Sequence, residues 1–137
     1  MAHFRPDRFT ERIGQGLVDY GSDDLRVYAF GGTISPTPDQ STLETMQEIV
    51  DAGGVLLDVT AQLLNVTNAG GVIAAANVTG GNFSGTVVAV AVGIYTGALP
   101  TTPVAYYLDD ATELPQPFSN QPETTVWNAA GLDVVGG

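Results

Sequence analysis

Val-Val-Ala-Val-Ala-Val-Gly-Ile-Tyr, residues 87 to 95, is the longest apolar run of the chain. The six residues from Val87 to Val92 are all aliphatic, with no polar residue alternating between them. A short apolar run without alternation is typical of a strand that is buried on both faces. We extend this strand back to Phe83 and expect it to bend at Gly85 or Gly93, because glycine inside a strand often marks a bulge or a bend.

Similar Val- and Thr-rich runs on either side predict four or five more strands. They cover residues 25–30, 55–67, 72–78, 104–108 and 124–127. The segments between them carry turn residues. We interpret the glycine pairs at 70–71 and 80–81 as hairpin turns, and the proline-rich stretch at 114–122 as a break between strands. Strands at hairpin spacing predict a mainly β fold, an antiparallel β-sandwich.

One α-helix is predicted inside this β pattern, at about residues 38–52. Thr37 could cap it with proline at the first helical position, or Ser41 could begin a capping box with Glu44 one turn later. Gly53 would supply the left-handed residue that ends such helices. The predicted apolar face consists of Leu43, Met46, Ile49 and Val50.

The charges divide the chain into two parts. All four cationic side chains lie within the first 26 residues, and the 111 residues that follow carry ten carboxylates and no Lys or Arg. We therefore predict an N-terminal anchoring arm or short helix over residues 1–24 and a β-sandwich domain over residues 25–137. The alternative is a terminal helix packed on its own domain through Phe9 and Ile13. The candidate partner-binding residues alternate apolar and cationic groups, and they are Phe4, Arg5, Arg8, Phe9, Arg12 and Ile13.

Composition argues against several classes of function. A net charge of -11 disfavours nucleic acid as a partner, because phosphate contacts need clustered cations. The chain has no cysteine and a single histidine, His3, so we expect no metal, no cofactor and no enzymatic activity. Asp109, Asp110 and Glu113 could offer oxygens to Ca²⁺, but we interpret them as a solvated strand-end turn. No run reaches the ~18 apolar residues of a membrane span, and no signal-type segment is evident, so we expect a soluble protein without a membrane partner.

The C-terminal half resembles the ending of small virion proteins of tailed bacteriophages. In that family a strand of the type seen at Pro103–Asp110 is followed by a loop and by a closing segment like Glu123–Leu132. The layout of 24–29, 36–39 and 57–60 agrees with it, so the similarity spans about residues 24 to 132. Asn128 departs from the family, which often has Asp after the Trp.

The resemblance implies a structural role and supplies no catalytic residues. We expect a non-enzymatic decoration or minor capsid (cement) protein that binds the major capsid protein or other virion subunits. It would lie on the capsid exterior, be soluble in the host cytoplasm before assembly and form a homo-oligomer, with a trimer as the first guess. The alternatives are a neck or minor tail subunit and a carbohydrate-binding, adhesin-like sandwich that would use exposed Tyr106, Tyr107 and Phe118.

Overall fold

The computed structural model describes residues 3–20, 22–69, 72–109, 114–128 and 131–136. These residues form two α-helices, one 3₁₀ turn and ten strands. In chain order these are β1 (His3–Phe4), α1 (Asp7–Gly14), β2 (Leu25–Gly32), α2 (Met46–Asp51), β3 (Gly54–Val59), β4 (Thr67–Ala69), β5 (Val72–Ala74), β6 (Val78–Val87), β7 (Ala89–Ile94), the 3₁₀ turn Leu99–Thr101, β8 (Val104–Leu108), β9 (Gln116–Asn128) and β10 (Gly131–Gly136).

Two antiparallel sheets dominate the described chain. The larger has five strands in the order β1-β8-β7-β2-β3, and the smaller has three in the order β10-β9-β6. The strands β4 and β5 form a separate antiparallel pair. The predicted fold class, mainly β with antiparallel sheets in a sandwich-like domain, is confirmed.

The five-stranded sheet has a hydrophobic core on each of its faces. Val90 and Val92 of β7 belong to an inter-sheet core that also contains Phe118 of the three-stranded sheet. Ala89 and Ala91 of the same strand belong to a second core, which we call the helix-side core because it contains residues of α2. Alternate side chains of β7 therefore enter different cores, which explains why this strand is apolar at every position.

The long run from 83 to 95 forms two strands in two different sheets. Strand β6 ends at Val87 and β7 begins at Ala89, so the chain leaves one sheet for the other at Val88. The amide of Val88 donates to the carbonyl of Phe30, 2.8 Å away, outside the regular ladder. Gly85 and Gly93, where we expected the bend, accompany register shifts within β6 and β7. The irregularities expected at these glycines are therefore present, because a bulge bends its strand, whereas the change of sheet at Val88 was not predicted.

The predicted helix over 38–52 is confirmed only in its last part. Residues 38–45 do not join α2, because Asp39 accepts hydrogen bonds from both the amide and the hydroxyl of Ser41, each at 2.8 Å, and so stabilises a turn. The capping box is formed by Thr45 and Glu48, one turn later than the sequence suggested. Glu48 accepts from the Thr45 amide at 2.7 Å, and both proposed N-caps, Thr37 and Ser41, lie outside the helix.

Strand assignments from glycine and proline also needed correction. The predicted strand 55–67 contains β3 and only the first residue of β4, and the proline-rich stretch 114–122 was predicted as a break but belongs largely to β9. Pro117 and Pro122 pair with β6 on one side, while β10 covers only Glu123 onward, so this half of β9 is an edge that tolerates proline. The strands β1 and β10 were not predicted.

Gly80 and Gly81 lie inside β6 and do not form a hairpin turn. The Asp58 carboxylate of β3 approaches Gly80 so closely that a Cβ there would overlap it. The same carboxylate accepts a hydrogen bond from the Gly81 amide, while its partial burial raises the pKa of Asp58. Glycine here leaves room for the Asp58 side chain where the two strands approach closely. The other predicted glycine turn, at 70–71, lies outside the described residues.

Candidate functional site

The helix α1, which carries most of the predicted partner-binding residues, is tied to the domain by its backbone. It begins after Pro6, with Asp7 in the first turn and Arg12 in the last, as the helix dipole favours. The Asp7 amide donates to the carbonyl of Gln40, 2.9 Å away. This hydrogen bond joins the start of α1 to the turn that precedes α2.

The apolar residues of this segment pack on the domain itself. Phe9 is 1% exposed and lies in the inter-sheet core, with Ile13 packed against the same core. Phe4 lies in β1 and makes an edge contact with the ring of Tyr107, with 5.5 Å between the ring centroids. The described part of residues 1–24 is therefore integrated with the sandwich, which differs from an arm that stands apart. The segment packs on the domain because Phe9 and Ile13 bury their side chains in and against the inter-sheet core.

The cationic residues of the segment have three different environments. Arg8 is exposed, and its guanidinium lies 3.6 Å from the Glu11 carboxylate, one turn along the helix. The Arg12 Nε atom is buried and has no hydrogen-bond partner among the described residues. Burial raises the pKa of Tyr20, and the nearby charge of Arg5 partly opposes that rise. Of the three arginines, Arg8 is the one whose charge is presented most openly to a partner.

The aromatic residues of the adhesin-like alternative do not form an exposed platform. Tyr107 is fully buried in the helix-side core, and Phe118 is 5% exposed in the inter-sheet core. Tyr106 is partly buried against the inter-sheet core. Ring faces packed in a core cannot stack on a sugar, so these three residues offer no observation in favour of glycan binding.

The acidic residues singled out from sequence show no metal centre in the described part of the chain. Asp109 accepts a hydrogen bond from the Tyr107 hydroxyl at 3.1 Å, whereas Asp110 and Glu113 lie outside the described residues. Among the residues that the structure describes, no group of three His, Asp or Glu side chains could hold a metal ion. Within the same residues, no helix is long and apolar enough to cross a membrane.

Tyr107 should make the fold sensitive to alkaline pH. Burial, reinforced by the neighbouring Asp109 charge, raises the pKa of Tyr107 far above its ordinary value near 10. The folded state therefore binds this proton more tightly than the unfolded state, and the resulting stability is complete below about pH 10 and is lost as the pH rises further. We expect Tyr107→Phe to be close to wild type at pH 7, losing about 1 kcal/mol with the hydrogen bond to Asp109.

Between pH 9 and pH 11 the free energy of unfolding of Tyr107→Phe should fall less than that of the wild-type protein. Urea unfolding at several pH values measures both quantities. The wild type and the variant would show equal pH slopes if the Tyr107 hydroxyl were solvated in solution.

A cleft that the sequence did not suggest lies on the helix side of the five-stranded sheet. Arg26 donates from Nε and Nη2 to the two carboxylate oxygens of Asp24, at 3.0 and 2.9 Å, and its guanidinium carbon lies 3.7 Å from the centre of the Tyr95 ring. The cleft measures about 400 Å³ and has Tyr28 in its wall. Sequence could have signalled it, because Arg26 is a charged residue in a strand that is otherwise apolar.

Comparisons of the chain with protein-family models, with curated proteins and with solved structures gave no match.

Proposed function

We propose that this protein is a non-enzymatic structural component of a tailed-phage virion that binds the outer capsid surface as a decoration or cement protein. The observation that carries the proposal is the segregation of charge on a small sandwich-like domain. Positive charge occurs only up to Arg26, and the rest of the chain is acidic. Copies crowded on a shell would repel one another through their acidic parts, so contact with the shell should use the exposed cationic surface.

The structure restricts which residues can make this contact. Phe9 and Ile13 pack in the core of their own domain and are not available to a partner. The anchoring surface therefore consists of the outer face of α1, with Arg8 and Glu11, and of Leu17, which follows the helix and is 54% exposed. The partners are the major capsid protein or other virion subunits, and the functional form is a homo-oligomer, with a trimer as the first form to test. The proposal includes no cofactor, metal or nucleic-acid partner.

The location and copy number on intact particles test this function. Virions of the phage that encodes this chain would be purified, and the copies per particle would be measured by quantitative gel against the major capsid protein. Hundreds of copies, with density on the capsid exterior, are the expected result. A handful of copies at the neck or tail would support the alternative of a neck or minor tail subunit, and absence from the particle would overturn a virion role.

Arg8→Glu is the substitution that should separate binding from folding. Arg8 is exposed and its ion pair with Glu11 is long, so the free energy of unfolding should change by only about 0.5 kcal/mol or less. Binding to particles that lack the protein should weaken, more strongly at low salt than at high salt, because the reversed charge faces the partner.

Arg8→Lys keeps the charge and serves as the matched control, with binding close to wild type expected. Sedimentation of labelled protein with particles measures the binding, and urea unfolding measures the stability. Full occupancy by Arg8→Glu at low salt would show that α1 does not face the particle.

A further inference from the structure

The cleft beside Arg26 is built from three parts of the chain. Strand β2 contributes Arg26 and Tyr28, the edge strand β3 contributes Leu56 and Val59, and the connection between β7 and β8 closes the remaining side. The helix α2 packs on the same face of the sheet, and none of its residues lines this cleft. Its volume of about 400 Å³ lies in the range of ligand-binding clefts, and it is large enough for one or two amino-acid side chains.

The connection that forms one wall is held in shape by hydroxyl groups. Thr96, Thr101 and Thr102 each place their side-chain oxygen 2.9 to 3.1 Å from the carbonyl oxygen of Ala98. The Tyr95 amide also donates to the carbonyl of Asp24, 2.7 Å away, which ties the start of the connection to the strand opposite. A wall fixed in this way is ready to bind without paying much ordering entropy.

Arg26 keeps hydrogen-bond donors for a ligand at this cleft. The hydroxyl of Tyr28 lies beside that of Thr102, which is hydrogen-bonded to the carbonyl of Ala98. Arg26 donates hydrogen bonds from Nε and Nη2 to the Asp24 carboxylate. Because the guanidinium is planar, the hydrogens on Nη1 are directed away from that carboxylate. The remaining lining is largely apolar, with Leu56, Val59 and Leu99. The cleft therefore suits an apolar group that carries a hydrogen-bond acceptor at its edge.

Charge decides which kind of ligand fits. The positive charge of Arg26 is neutralised by Asp24, and the chain as a whole carries a net charge of -11. An anionic ligand would be repelled by the protein, whereas a neutral or cationic one would not. In a peptide, each side chain lies next to a main-chain carbonyl, which is a neutral hydrogen-bond acceptor, so a peptide segment supplies both groups that the cleft suits.

We propose that this cleft binds one aliphatic side chain of a basic segment of a partner protein, while Arg26 donates from Nη1 to the adjacent main-chain carbonyl of that segment. The aliphatic group lies over Leu56, Val59 and Leu99, and the flanking cations of the segment face the acidic surface of the domain. This is a site distinct from the outer face of α1, and it does not depend on the virion role.

Short peptides titrated into isotope-labelled protein test this site by NMR. The probe is Ac-Lys-Leu-Lys-NH2, with Ac-Lys-Ala-Lys-NH2 as the control for the apolar group and Ac-Asp-Leu-Asp-NH2 as the control for charge. We expect saturable shifts of the amides of Arg26, Tyr95 and Leu99, and an affinity for the first peptide at least about tenfold above that for either control. Contacts between the peptide leucine methyls and the Leu99 side chain should appear as nuclear Overhauser effects.

A cleft-filling substitution supplies the matched variant. Ala98 is exposed and lines the cleft, so Ala98→Trp should fill it and weaken the first peptide about tenfold or more. Ala76→Trp, on an exposed position away from the cleft, should leave the affinity unchanged.

Equal binding of the alanine and leucine peptides would overturn the proposal, because it would show only a general attraction of cations to an acidic protein. Equal binding of the aspartate peptide would overturn the choice of a basic partner. Undiminished binding to Ala98→Trp, or the absence of leucine contacts in the wild type, would place the site elsewhere. None of these results depends on particles, so they are distinguishable from a failure of the virion role.

Discussion

Phe9→Ala is expected to lower the free energy of unfolding by about 3–5 kcal/mol, the usual cost of truncating a fully buried phenylalanine. Phe9 is 1% exposed and lies among Leu25, Val27 and Val92 in the inter-sheet core. Removal of the ring would leave a cavity where α1 closes that core. Because domains of this size are stable by only about 5–15 kcal/mol, the loss would be a large share of the total.

Urea unfolding followed by far-ultraviolet circular dichroism measures this effect, and Thr10→Ala is the matched control. Thr10 is the next residue of the same helix and is exposed, so its replacement should change the free energy of unfolding by about 0.5 kcal/mol or less. If Phe9→Ala were as stable as Thr10→Ala, α1 would not be packed on the domain in solution. The segment 1–24 would then be the separate arm that the charge pattern predicts.

The same packing changes how the partner-binding hypothesis must be tested. Deletion of residues 1–16 removes Phe9 and Ile13 from the core together with Arg8. Loss of particle binding after this deletion would therefore follow from unfolding as readily as from a lost contact. Surface substitutions at Arg8 avoid this problem because they leave the core intact.

The strands that could be predicted from sequence are those whose buried positions are occupied by runs of aliphatic and aromatic residues. The aliphatic runs of β2, β7 and β8 have buried patterns; β2 and β8 were located within two residues of their bounds, and β7 was located as the second half of a longer predicted strand. The missed strands have little such pattern. β10 is a short run with glycine at both ends. β1 has only two residues and pairs with β8, and local residue preference carries no information about a partner strand that lies so far along the chain.

Glycine and proline misled the prediction because their role depends on tertiary position. Gly80 lies inside β6, where the Asp58 carboxylate occupies the space that a Cβ would take. Pro117 lies in β9, where it pairs with β6 on one side and no described strand pairs with it on the other. Both residues look like turn formers in a sequence. The helix start was misjudged for a related reason, because Asp39 stabilises a local turn more effectively than Thr37 caps a helix.

The candidate binding surfaces were also predicted only in part. The sequence identified α1 through the spacing of its apolar and cationic residues, but the pattern could not show whether Phe9 faces its own domain or a neighbour. The cleft beside Arg26 was not predicted, because Tyr95 and Leu99 join Arg26 only through the pairing of β2 with β7.

Gly53→Ala is expected to be among the most destabilising single substitutions in the chain, although it adds only one methyl group. Gly53 has a φ of 110°, which side-chain-bearing residues rarely adopt, and it closes α2 before β3. A Cβ there would also overlap the backbone carbonyl oxygen of Thr33, which cannot rotate away as a side chain could. We expect a loss of about 3 kcal/mol or more, from backbone strain and overpacking together.

Gly97→Ala separates these two contributions. Gly97 has a similar φ of 89°, but no atom lies within 4 Å of the position that its Cβ would take. Its replacement should therefore cost only the backbone strain, about 1–2 kcal/mol. Urea unfolding of the two variants gives the comparison, and the excess loss in Gly53→Ala measures the contact with Thr33. Equal losses would mean that the segment around Thr33 moves aside at no cost, and the close packing between α2 and the end of β2 would then be looser in solution than the structure describes.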